Sequence, residues 1–330
     1  MDRSGDVGEA GFMKAVVTGG AGFIGSNLVD ELANRGTEVV ILDDLATGKM
    51  ENITDLLKSA QVRFVRGSVT NLELLKSIFN DVDCVFHQAA IPSVQRSVED
   101  PRVTNEVNVN GTLNVLFAAK ECGVEKVVYA STAAVYGDTP ELPKREDMKP
   151  NPKSPYAVSK LTGEQYCAVF GEVYGLKTVC LRYFNVYGPK QDPASEYAAV
   201  IPLFITRVLA NKPPTIYGDG TQTRDFAFVK DVVHANILAS ERGEGVFNIA
   251  SGRRISLNEL ANIIIKMINK DLKPVYTEPR KGDIKHSLAN ISLSKEKLGY
   301  DPEYGLEKGL KETIKYFKDE NQHLHKLACD

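Results

Sequence analysis

The feature that most constrains the fold is a regular alternation of short apolar segments with helical patterns in the first part of the chain. The apolar segments have the length of strands and occupy residues 14–18, 38–42, 62–65, 84–87, 126–130 and 178–183. Helical patterns separate them near residues 23–35, 72–79, 104–121 and 156–174. Apolar strands that alternate with helices form parallel sheets covered on both faces. This order therefore predicts an α/β protein with a doubly wound, Rossmann-type parallel sheet.

The first predicted strand runs into a glycine-rich turn that contains Gly19, Gly22 and Gly25. Glycine backbones can turn sharply and approach a pyrophosphate closely. The helix that follows points free N–H groups and its positive dipole end at that anion. A tight strand–helix turn without a ligand is the alternative, but the strand–turn–helix context favours nucleotide binding.

The second predicted strand ends in an acidic pair, Asp43 and Asp44. Asp43 follows Gly25 by 18 residues, a spacing at which a carboxylate in this fold accepts hydrogen bonds from the hydroxyls of an adenosine ribose. The same carboxylate would repel a 2′-phosphate. A solvated charge at the strand end is the alternative. The spacing predicts NAD rather than NADP as the cofactor.

A YxxxK motif, from Tyr156 to Lys160, follows Pro155 at the predicted start of a helix. The i,i+4 spacing places the phenol and the ammonium on one face of that helix. A unit charge about 6 Å away, at an effective dielectric of about 20, is worth about 2.8 kcal/mol or about two pKa units. The lysine and an oxidised nicotinamide are therefore expected to lower the phenol pKa toward neutrality, although packing is the alternative for such a tyrosine. Thr132 ends a predicted strand, where its hydroxyl would bridge to the reacting oxygen.

Composition and charge exclude several classes of protein. The formal net charge is −3, so no broad basic surface is expected for nucleic acid. No apolar run approaches the roughly 18 residues that span a bilayer, and residues 1–12 are expected to be a disordered leader. The five cysteines are widely spaced without a CxxC motif. This pattern predicts neither a metal site nor a disulfide framework, but reduced thiols in a cytoplasmic protein.

Beyond Tyr183 the alternation ends and prolines become frequent. Residues 13–185 are predicted to form an NAD-binding Rossmann domain, to whose sheet residues 229–250 return. Residues 186–228 and 251–330 are predicted to form a smaller, interleaved substrate-binding domain.

Together these motifs resemble the extended short-chain dehydrogenase/reductases and, within them, the UDP-hexose 4-epimerases. The resemblance runs from Met13 to about residue 318. Its landmarks are TGGAGFIG from Thr18, HQAA from His87, NVNGT from Asn108, Ser131-Thr132, the Tyr156/Lys160 pair, RYFNVYGP from Arg182, GDG from Gly218, RDF from Arg224 and RKGD from Arg280. The stretches 191–202 and 282–289 are most similar to the branch that epimerises UDP-N-acetylhexosamines.

The resemblance implies a role for each matched residue. Tyr156 is the base, Lys160 its electrostatic partner and Thr132 the family's catalytic Ser/Thr. The residues implied to bind NAD are Gly19, Gly22, Phe23, Ile24, Gly25, Asp43, Gly48, Ser68, Val69, Gln88, Ala89, Ala90, Asn108, Tyr156 and Lys160. The residues implied to bind a UDP-sugar are Ser131, Thr132, Ala133, Tyr156, Asn185 (at a phosphate), Ala199, Val200, Tyr217, Gln222, Arg224, Arg280, Asp283 (at the uridine ribose) and Ser287.

Some of these implied roles have alternatives. Arg224 and Arg280 would clamp the diphosphate, which suits planar guanidinium groups, but a surface ion pair is the alternative for each. Ser68 departs from the family, which often has aspartate there, although its hydroxyl would still accept a hydrogen bond from adenine. His87 is expected either to order backbone near the cofactor or to be a neutral structural histidine.

The implied activity is NAD-dependent 4-epimerisation of UDP-glucose to UDP-galactose and of UDP-GlcNAc to UDP-GalNAc through a 4-keto sugar. Residues 132–137 carry none of the acids with which the family's 4,6-dehydratases and UDP-glucuronate decarboxylases act. Ser287 stands where a tyrosine in the family excludes N-acetylated sugars. This predicts dual use, unless Ser287 is only a strand residue near the surface.

Other functions stay open on the sequence. A uronic-acid 4-epimerase or another nucleotide-sugar ketoreductase would use the same residues. A non-catalytic NAD-binding interaction protein would need no activated phenol. The family also implies a homodimer through the helices near 104–121 and 156–174.

Overall fold

The computed structural model describes residues 13–194, 199–279 and 284–327. Its strands are β1 (Lys14–Thr18), β2 (Glu38–Asp43), β3 (Val62–Arg66), β4 (Cys84–His87), β5 (Lys126–Thr132), β6 (Lys177–Tyr183), β7 (Val186–Tyr187), β8 (Thr215–Tyr217), β9 (Thr223–Arg224), β10 (Ala227–Phe228), β11 (Gly245–Ile249), β12 (Ile255–Ser256) and β13 (Val275–Thr277).

The helices are α1 (Phe23–Asn34), α2 (Leu72–Ile78), α3 (Val94–Glu99), α4 (Pro101–Asn105), α5 (Gly111–Glu121), α6 (Pro155–Tyr174), α7 (Val200–Leu209), α8 (Val229–Glu241), α9 (Leu257–Ile268), α10 (Ser292–Leu298) and α11 (Leu306–Leu327). Short 3-10 turns occur at Met50–Asn52, Leu56–Lys58 and Ala133–Tyr136, and a π-helical turn occurs at Glu106–Asn110.

The main sheet is parallel throughout and, among the described residues, has seven strands in the order β11-β6-β5-β4-β1-β2-β3. The chain winds outward from β1 in both directions, so the carboxyl ends of β1 and β4 border a crevice at the switch point. The predicted doubly wound, Rossmann-type sheet is confirmed. The last strand to join is β11, which pairs with β6 from Gly245↔Val179 to Ile249↔Tyr183.

Two layers of apolar side chains enclose the main sheet. In β1, Val17 belongs to one layer with Leu28 of α1 and Ile237 of α8, whereas Val16 belongs to the other with Leu116 of α5. All of these side chains are buried. Successive residues of a strand point to opposite faces, so a continuous apolar strand is what a sheet covered on both faces requires.

The helix predicted at 104–121 is interrupted in the structure. After α4 comes the π-helical turn at Glu106–Asn110, and α5 follows it. Asn108 lies in this turn, and its buried amide binds the backbone of Ile91 and the hydroxyl of Ser159. Turns of this kind are frequent at functional sites. The periodicity of the sequence shows only the apolar face and not these tertiary contacts.

Outside the main sheet, the strands of the described ranges form two-stranded pairs: β10 with β7, β12 with β9 and β13 with β8. We call these the peripheral pairs. Each extends over only two or three residues. The division of the chain into two domains at residue 185 stays a prediction.

Neither a membrane segment nor a metal site is found in the part of the chain that the structure describes. No helix there is long and apolar enough to cross a bilayer. No three His, Cys, Asp or Glu side chains in those ranges converge as metal ligands would. The described cysteines, Cys84, Cys122, Cys167 and Cys180, are free thiols.

Candidate active site

The glycine turn forms a cradle at the start of α1. Gly19 has a φ of +69°, and a Cβ placed there would lie 2.7 Å from the Ala89 nitrogen. A Cβ on Gly25 would overlap the carbonyl oxygen of Gly19. The helix begins after Gly22 with no side-chain cap and no acidic residue in its first turn. The first N–H groups, including those of Phe23 and Ile24, thus lie at an uncapped, positive helix end that fits a pyrophosphate.

Asp43 lies beside this cradle and is only 8% exposed. Its two carboxylate oxygens accept hydrogen bonds from the backbone N–H of Ala21, at 3.0 Å, and of Leu45, at 2.8 Å. Burial raises the pKa of the carboxyl group, and these backbone hydrogen bonds oppose the rise. A Cβ on Gly48 would come within 2.9 Å of both oxygens. The Asp43 carboxylate is therefore buried and fixed by hydrogen bonds at the crevice. The alternative, a solvated charge at the strand end, fits its exposed neighbour Asp44 instead.

Ser68 occupies the predicted adenine side of the crevice next to the buried Val69. Its hydroxyl oxygen accepts hydrogen bonds from the backbone N–H of Thr70, at 3.3 Å, and from the Thr70 hydroxyl, at 3.0 Å. The hydrogen bond from adenine to Ser68 stays a prediction, and it would have to share this oxygen with Thr70. The oxygen is already engaged, and the side chain has its own O–H to donate.

His87 is the centre of a buried hydrogen-bond chain. Thr112 donates its hydroxyl proton to the carbonyl of Asn108 at 2.6 Å, so it must accept from His87 Nε2 at 3.0 Å. Nδ1 is then the acceptor from the Thr18 hydroxyl at 2.7 Å, and the backbone N–H of Ala89 donates to Thr18. Burial lowers the pKa of His87 to about 3. The two alternatives for His87 thus coincide, because a neutral histidine orders the backbone at the ends of β1 and β4.

Two residues predicted to bind the cofactor use their side chains within the protein. The Asn108 amide is 1% exposed and clamps the backbone of Ile91. Gln88 binds Tyr183 and Asn236 through its side-chain amide. Both amides are thus engaged with protein groups, and their contacts with NAD stay predictions. Ala89 and Ala90, beside them at the end of β4, are half-buried.

Tyr156 and Thr132 meet at the mouth of the crevice. Ser154 caps α6 by accepting a hydrogen bond from Ala157 at 3.2 Å, and the Tyr156 backbone N–H donates to Ser97 at 3.0 Å. These contacts fix the first helical turn, which carries the half-buried tyrosine. The Thr132 side chain lies close enough to the Tyr156 phenol to lower its pKa. The structure therefore brings together the proposed base and the hydroxyl predicted to bridge to the substrate.

Lys160 lies one turn further along α6 and is 3% exposed. Its ammonium donates to the carbonyl of Ala130 at 2.8 Å and lies 4.9 Å from the ring centroid of Tyr129. Burial lowers the pKa of Lys160 to about 8. Burial also raises the pKa of the Tyr156 phenol, while the Thr132 side chain opposes the rise. The predicted lowering of the phenol pKa by Lys160 is thus not seen in the protein without the nicotinamide.

Ser131 differs from its neighbour Thr132 in its surroundings, and its contact with substrate stays a prediction. Adjacent residues of β5 point to opposite faces, and Ser131 donates its hydroxyl to Glu164 in the core. Glu164 also accepts two hydrogen bonds from Arg182, at 2.9 and 2.7 Å, and both charged groups are 3% exposed. The Arg182 guanidinium lies 4.7 Å from the ring centroid of Tyr136.

Sequence reasoning missed the Glu164–Arg182 pair. The sequence did contain a signal for it, because both charged residues stand inside apolar segments. Glu164 follows Lys160 by four residues on α6, and Arg182 lies within β6. A buried charge almost always has a partner. The pair ties α6, which carries Tyr156, to the sheet that carries Thr132.

Several predicted substrate residues of the second half lie on or beside the peripheral pairs. Asn185 is exposed with a φ of +29°, and its side chain donates to the carbonyl of Asp225 at 2.9 Å. Arg224 lies on β9 and donates to the carbonyl of Thr223 at 3.0 Å. The backbone N–H of Ser287 donates to the same carbonyl oxygen at the same distance. Arg224 and Ser287 are thereby brought together at one edge.

A cavity of about 650 Å³ lies beside that edge. Tyr217 and Gln222 line it, and the Gln222 amide donates to the Tyr217 carbonyl at 2.7 Å. Pro279 and Ile284 also line it. Pro279 and Ile284 border residues 280–283 in the sequence, and this segment includes Asp283, which was predicted to bind the uridine ribose.

Some predicted site residues have less structural support. Arg280 and Asp283 lie outside the described residues. Ala199 caps α7 without a side-chain hydrogen bond, and Val200 begins that helix. Ala133 is half-buried in the 3-10 turn after Thr132. Their predicted contacts with substrate stay predictions.

Comparison with known proteins gives these features a context. The profile described as the NAD dependent epimerase/dehydratase family matches residues 15–250. The UDP-glucose 4-epimerase of Mycolicibacterium smegmatis is 40% identical over 315 residues, which cover 94% of this chain and 100% of that protein.

Two solved structures have the same fold over nearly the whole chain. The UDP-N-acetylglucosamine 4-epimerase from Methanobrevibacter ruminantium M1, in complex with UDP-N-acetylmuramic acid, is 43% identical with a TM-score of 0.91 and covers 94% of this chain and 99% of its own. The Thermus thermophilus UDP-glucose 4-epimerase, in complex with NAD, is 42% identical with a TM-score of 0.84 and covers 93% and 99%.

Proposed function

Because the chain belongs to the NAD-dependent epimerase/dehydratase family, we propose that it is a UDP-hexose 4-epimerase that accepts both plain and 2-acetamido sugars. The observation that carries the reaction type is the placement of Tyr156 in the first turn of α6, one helical turn before the buried ammonium of Lys160 and close enough to Thr132 for that side chain to lower the phenol pKa. This arrangement can remove a proton from a sugar hydroxyl and return it.

The chain's own residues perform the proton chemistry. Tyr156 takes the proton of the sugar 4-hydroxyl, and Thr132 holds the oxygen from which it leaves. The buried ammonium of Lys160 stabilises the negative phenolate through a low-dielectric interior. When bound, NAD supplies a hydride acceptor for C4 and afterwards a hydride donor. Asn185 and Arg224 hold the UDP while the 4-keto sugar turns its other face, so the hydride returns with inversion.

Dehydration and decarboxylation are disfavoured by what surrounds Thr132. The 3-10 turn Ala133–Tyr136 that follows it contains no acid. The nearest buried carboxylate on α6 is Glu164, which is bound to Arg182 and Ser131 and does not face the crevice. Without a proton donor beside C5 or C6, the keto sugar can only take back its hydride.

The dual sugar use rests on the small residues near the sugar. Ser287 is held beside Thr223 by its backbone and is half-buried, and Ala133 lies next to the catalytic Thr132. Neither side chain fills the space that a 2-acetamido group needs. An unfilled space costs a plain sugar only about 1–3 kcal/mol, so both sugar classes are expected to react.

A homodimer is supported by exposed apolar residues on the helices near 104–121 and 156–174 that the sequence indicated, and on the short helices just before the first of them. Exposed apolar residues cluster on α3 to α6: Val94, Val98, Val103, Phe117, Val158, Val169, Val173 and Tyr174. Val98 and Val173 are each 63% exposed. Exposed apolar side chains that form a patch mark interfaces, and a second copy of the same face would cover these.

The cysteines support a reducing, cytoplasmic location. Cys84 and Cys180 are buried; burial raises the pKa of Cys84, and the neighbouring Cys167 together with burial raises the pKa of Cys180. Such thiols are structural and poorly reactive.

The test is an assay of the purified protein with UDP-glucose, UDP-GlcNAc and UDP-glucuronate, with the products identified by NMR. We expect 4-epimerisation of the first two. Turnover of UDP-glucuronate alone would replace the proposal with a uronic-acid epimerase. Binding of NAD without turnover of any of the three would favour a non-catalytic protein.

A further inference from the structure

Residues 188–192, which we call the strap, cross from the peripheral pairs onto the nucleotide cradle. The first contact is with α1, where the Asn27 amide donates to the carbonyl of Phe23 at 2.8 Å and to the carbonyl of Pro189 at 3.1 Å. The strap is thereby fixed to the helix turn whose N–H groups face the pyrophosphate site.

A second segment, residues 48–52, contacts the same glycine turn, and we call it the cover loop. The carbonyl of Ala21, in the glycine turn, accepts from the backbone N–H of Lys49 at 3.0 Å and from the Asn52 amide at 2.9 Å. The N–H of Ala21 donates to Asp43. The cover loop and the ribose-binding carboxylate are therefore attached to the same residue of the turn.

The strap holds the cover loop at two points. The Lys190 ammonium donates to the carbonyl of Asn52 at 3.0 Å, and Lys49 forms an ion pair with Asp192 at 2.9 Å. Lys190 is a non-glycine residue with a φ of +69°. This backbone conformation is strained, and it persists only where surrounding contacts compensate for the strain. Burial lowers the pKa of its ammonium. An amine that is both desolvated and bonded to a backbone carbonyl is a specific contact.

We propose that the strap retains the cofactor: Lys190 and Asp192 hold the cover loop against the glycine turn, and NAD leaves only after these contacts break. The near end of the strap follows Asn185, which touches the carbonyl of Asp225. A sugar nucleotide bound at Asn185 therefore steadies the strap and slows cofactor release. This second statement rests on the proposed function, whereas the first requires only that the protein binds NAD.

The first experiment measures cofactor release from the loaded full chain. Bound NADH is displaced by excess NAD⁺, and its fluorescence is followed with time. We expect Lys190→Met to release NADH about 10-fold faster, since a charged hydrogen bond is lost. Asp192→Asn should release it about 2- to 5-fold faster, as expected for an exposed ion pair. The swap Lys49→Asp with Asp192→Lys should return the rate to within about 2-fold of the wild type.

The matched control is Glu31→Gln, which removes the exposed ion pair between Glu31 and Arg35 on α1 and leaves the strap intact. Its release rate should equal that of the wild type. Thermal unfolding shows which variants fold, and Asp192→Asn remains decisive if Lys190→Met does not fold, because Asp192 is partly exposed. Wild-type release rates in every folded strap variant would overturn the proposal.

The second experiment adds UDP to the loaded protein. UDP should slow the release of NADH from the wild type and have less effect on Asp192→Asn. If UDP binds and the wild-type rate does not change, the coupling is wrong. If UDP does not bind, the proposed function fails, whereas the variant rates still decide whether the strap retains the cofactor.

Discussion

The main sheet and the peripheral pairs hold their functional residues in different ways. On β2, on β4 and on α6 beside the sheet, Asp43, His87 and Lys160 are each at most 8% exposed and bonded to named partners. On the peripheral pairs, Tyr217 is 38% exposed, and Asn185, just before β7, is exposed. These three groups, which we propose act on the cofactor side, are thus fixed, whereas Tyr217 and Asn185, which we propose contact the substrate, lie on or beside short, accessible elements.

The length of the strands explains this difference. β5 pairs with β6 over seven residues, whereas β12 pairs with β9 over two. A longer ladder fixes more backbone and is covered by helices on both faces, so a side chain at its end has one orientation. A two-residue pair depends on its neighbours, and it can change sequence without disturbing the core.

The largest expected effect is on the main-sheet side, from Tyr156→Phe. Removing the phenol oxygen while keeping the ring should lower kcat about 10²- to 10⁴-fold, because general-base catalysis is lost. The KM for the UDP-sugar should change little. Tyr166→Phe on the same helix is the control and should keep its activity. Near-normal turnover by Tyr156→Phe would show that another group is the base.

The next largest effect compares a buried ion pair with an exposed one. Glu164→Gln leaves Arg182 uncompensated in the core and should lower the free energy of unfolding by about 3–5 kcal/mol. Glu312→Gln breaks the Lys230–Glu312 pair, whose side chains are 52% and 34% exposed, and should cost less than about 1 kcal/mol. Urea unfolding without NAD measures both. Equal costs would contradict the difference between core and surface.

On the peripheral side, Ser287→Tyr should change the choice of sugar and not the chemistry. The ring would fill the space for a 2-acetamido group, so kcat/KM for UDP-GlcNAc should fall about 100-fold or more while that for UDP-glucose is retained. Ser287→Ala is the control and should keep both activities. Equal loss of both, or of neither, would place Ser287 away from the sugar.

The smallest effect is the pH dependence, about tenfold per pH unit. Because burial lowers the pKa of Lys160 to about 8, kcat should fall above that pH as the ammonium loses its proton. In the unfolded chain the pKa of a lysine is about 10.4, so between about pH 8 and this value Lys160 is protonated in the unfolded state and deprotonated in the folded state. The contribution of Lys160 to the free energy of unfolding therefore rises with pH over this range. Lys160→Arg should remove the alkaline limb, because guanidinium stays charged. A limb retained in that variant would belong to another group.

The sequence predicted those parts of the site that depend on local spacing. The ends of β1 and β2 determine the positions of the glycine turn and Asp43. One turn of α6 determines the spacing of Tyr156 and Lys160. Ser131 and Thr132 show the limit, because adjacent residues of a strand point to opposite faces and the sequence does not say which face borders the pocket. The Glu164–Arg182 pair joins elements that are distant along the chain, so no local pattern reveals it.

The electrostatics were harder to predict than the positions. The expected lowering of the Tyr156 pKa assumed an ammonium that acts through a uniform medium. In the structure, desolvation raises the phenol pKa, and Lys160 is bonded to the carbonyl of Ala130. Burial depends on the packing of the whole domain, which a single motif does not report.

The pairing of β11 with β6 has a consequence for synthesis on the ribosome. The apolar edge of β6, with Val179, Cys180 and Leu181 fully or almost fully buried in the finished protein, stays open until residues 245–249 emerge. A nascent chain thus carries an uncovered strand edge while more than sixty intervening residues are translated. Open edges of this kind recruit other strands, so the growing chain is a client for chaperones, and fragments that stop before β11 are prone to aggregate.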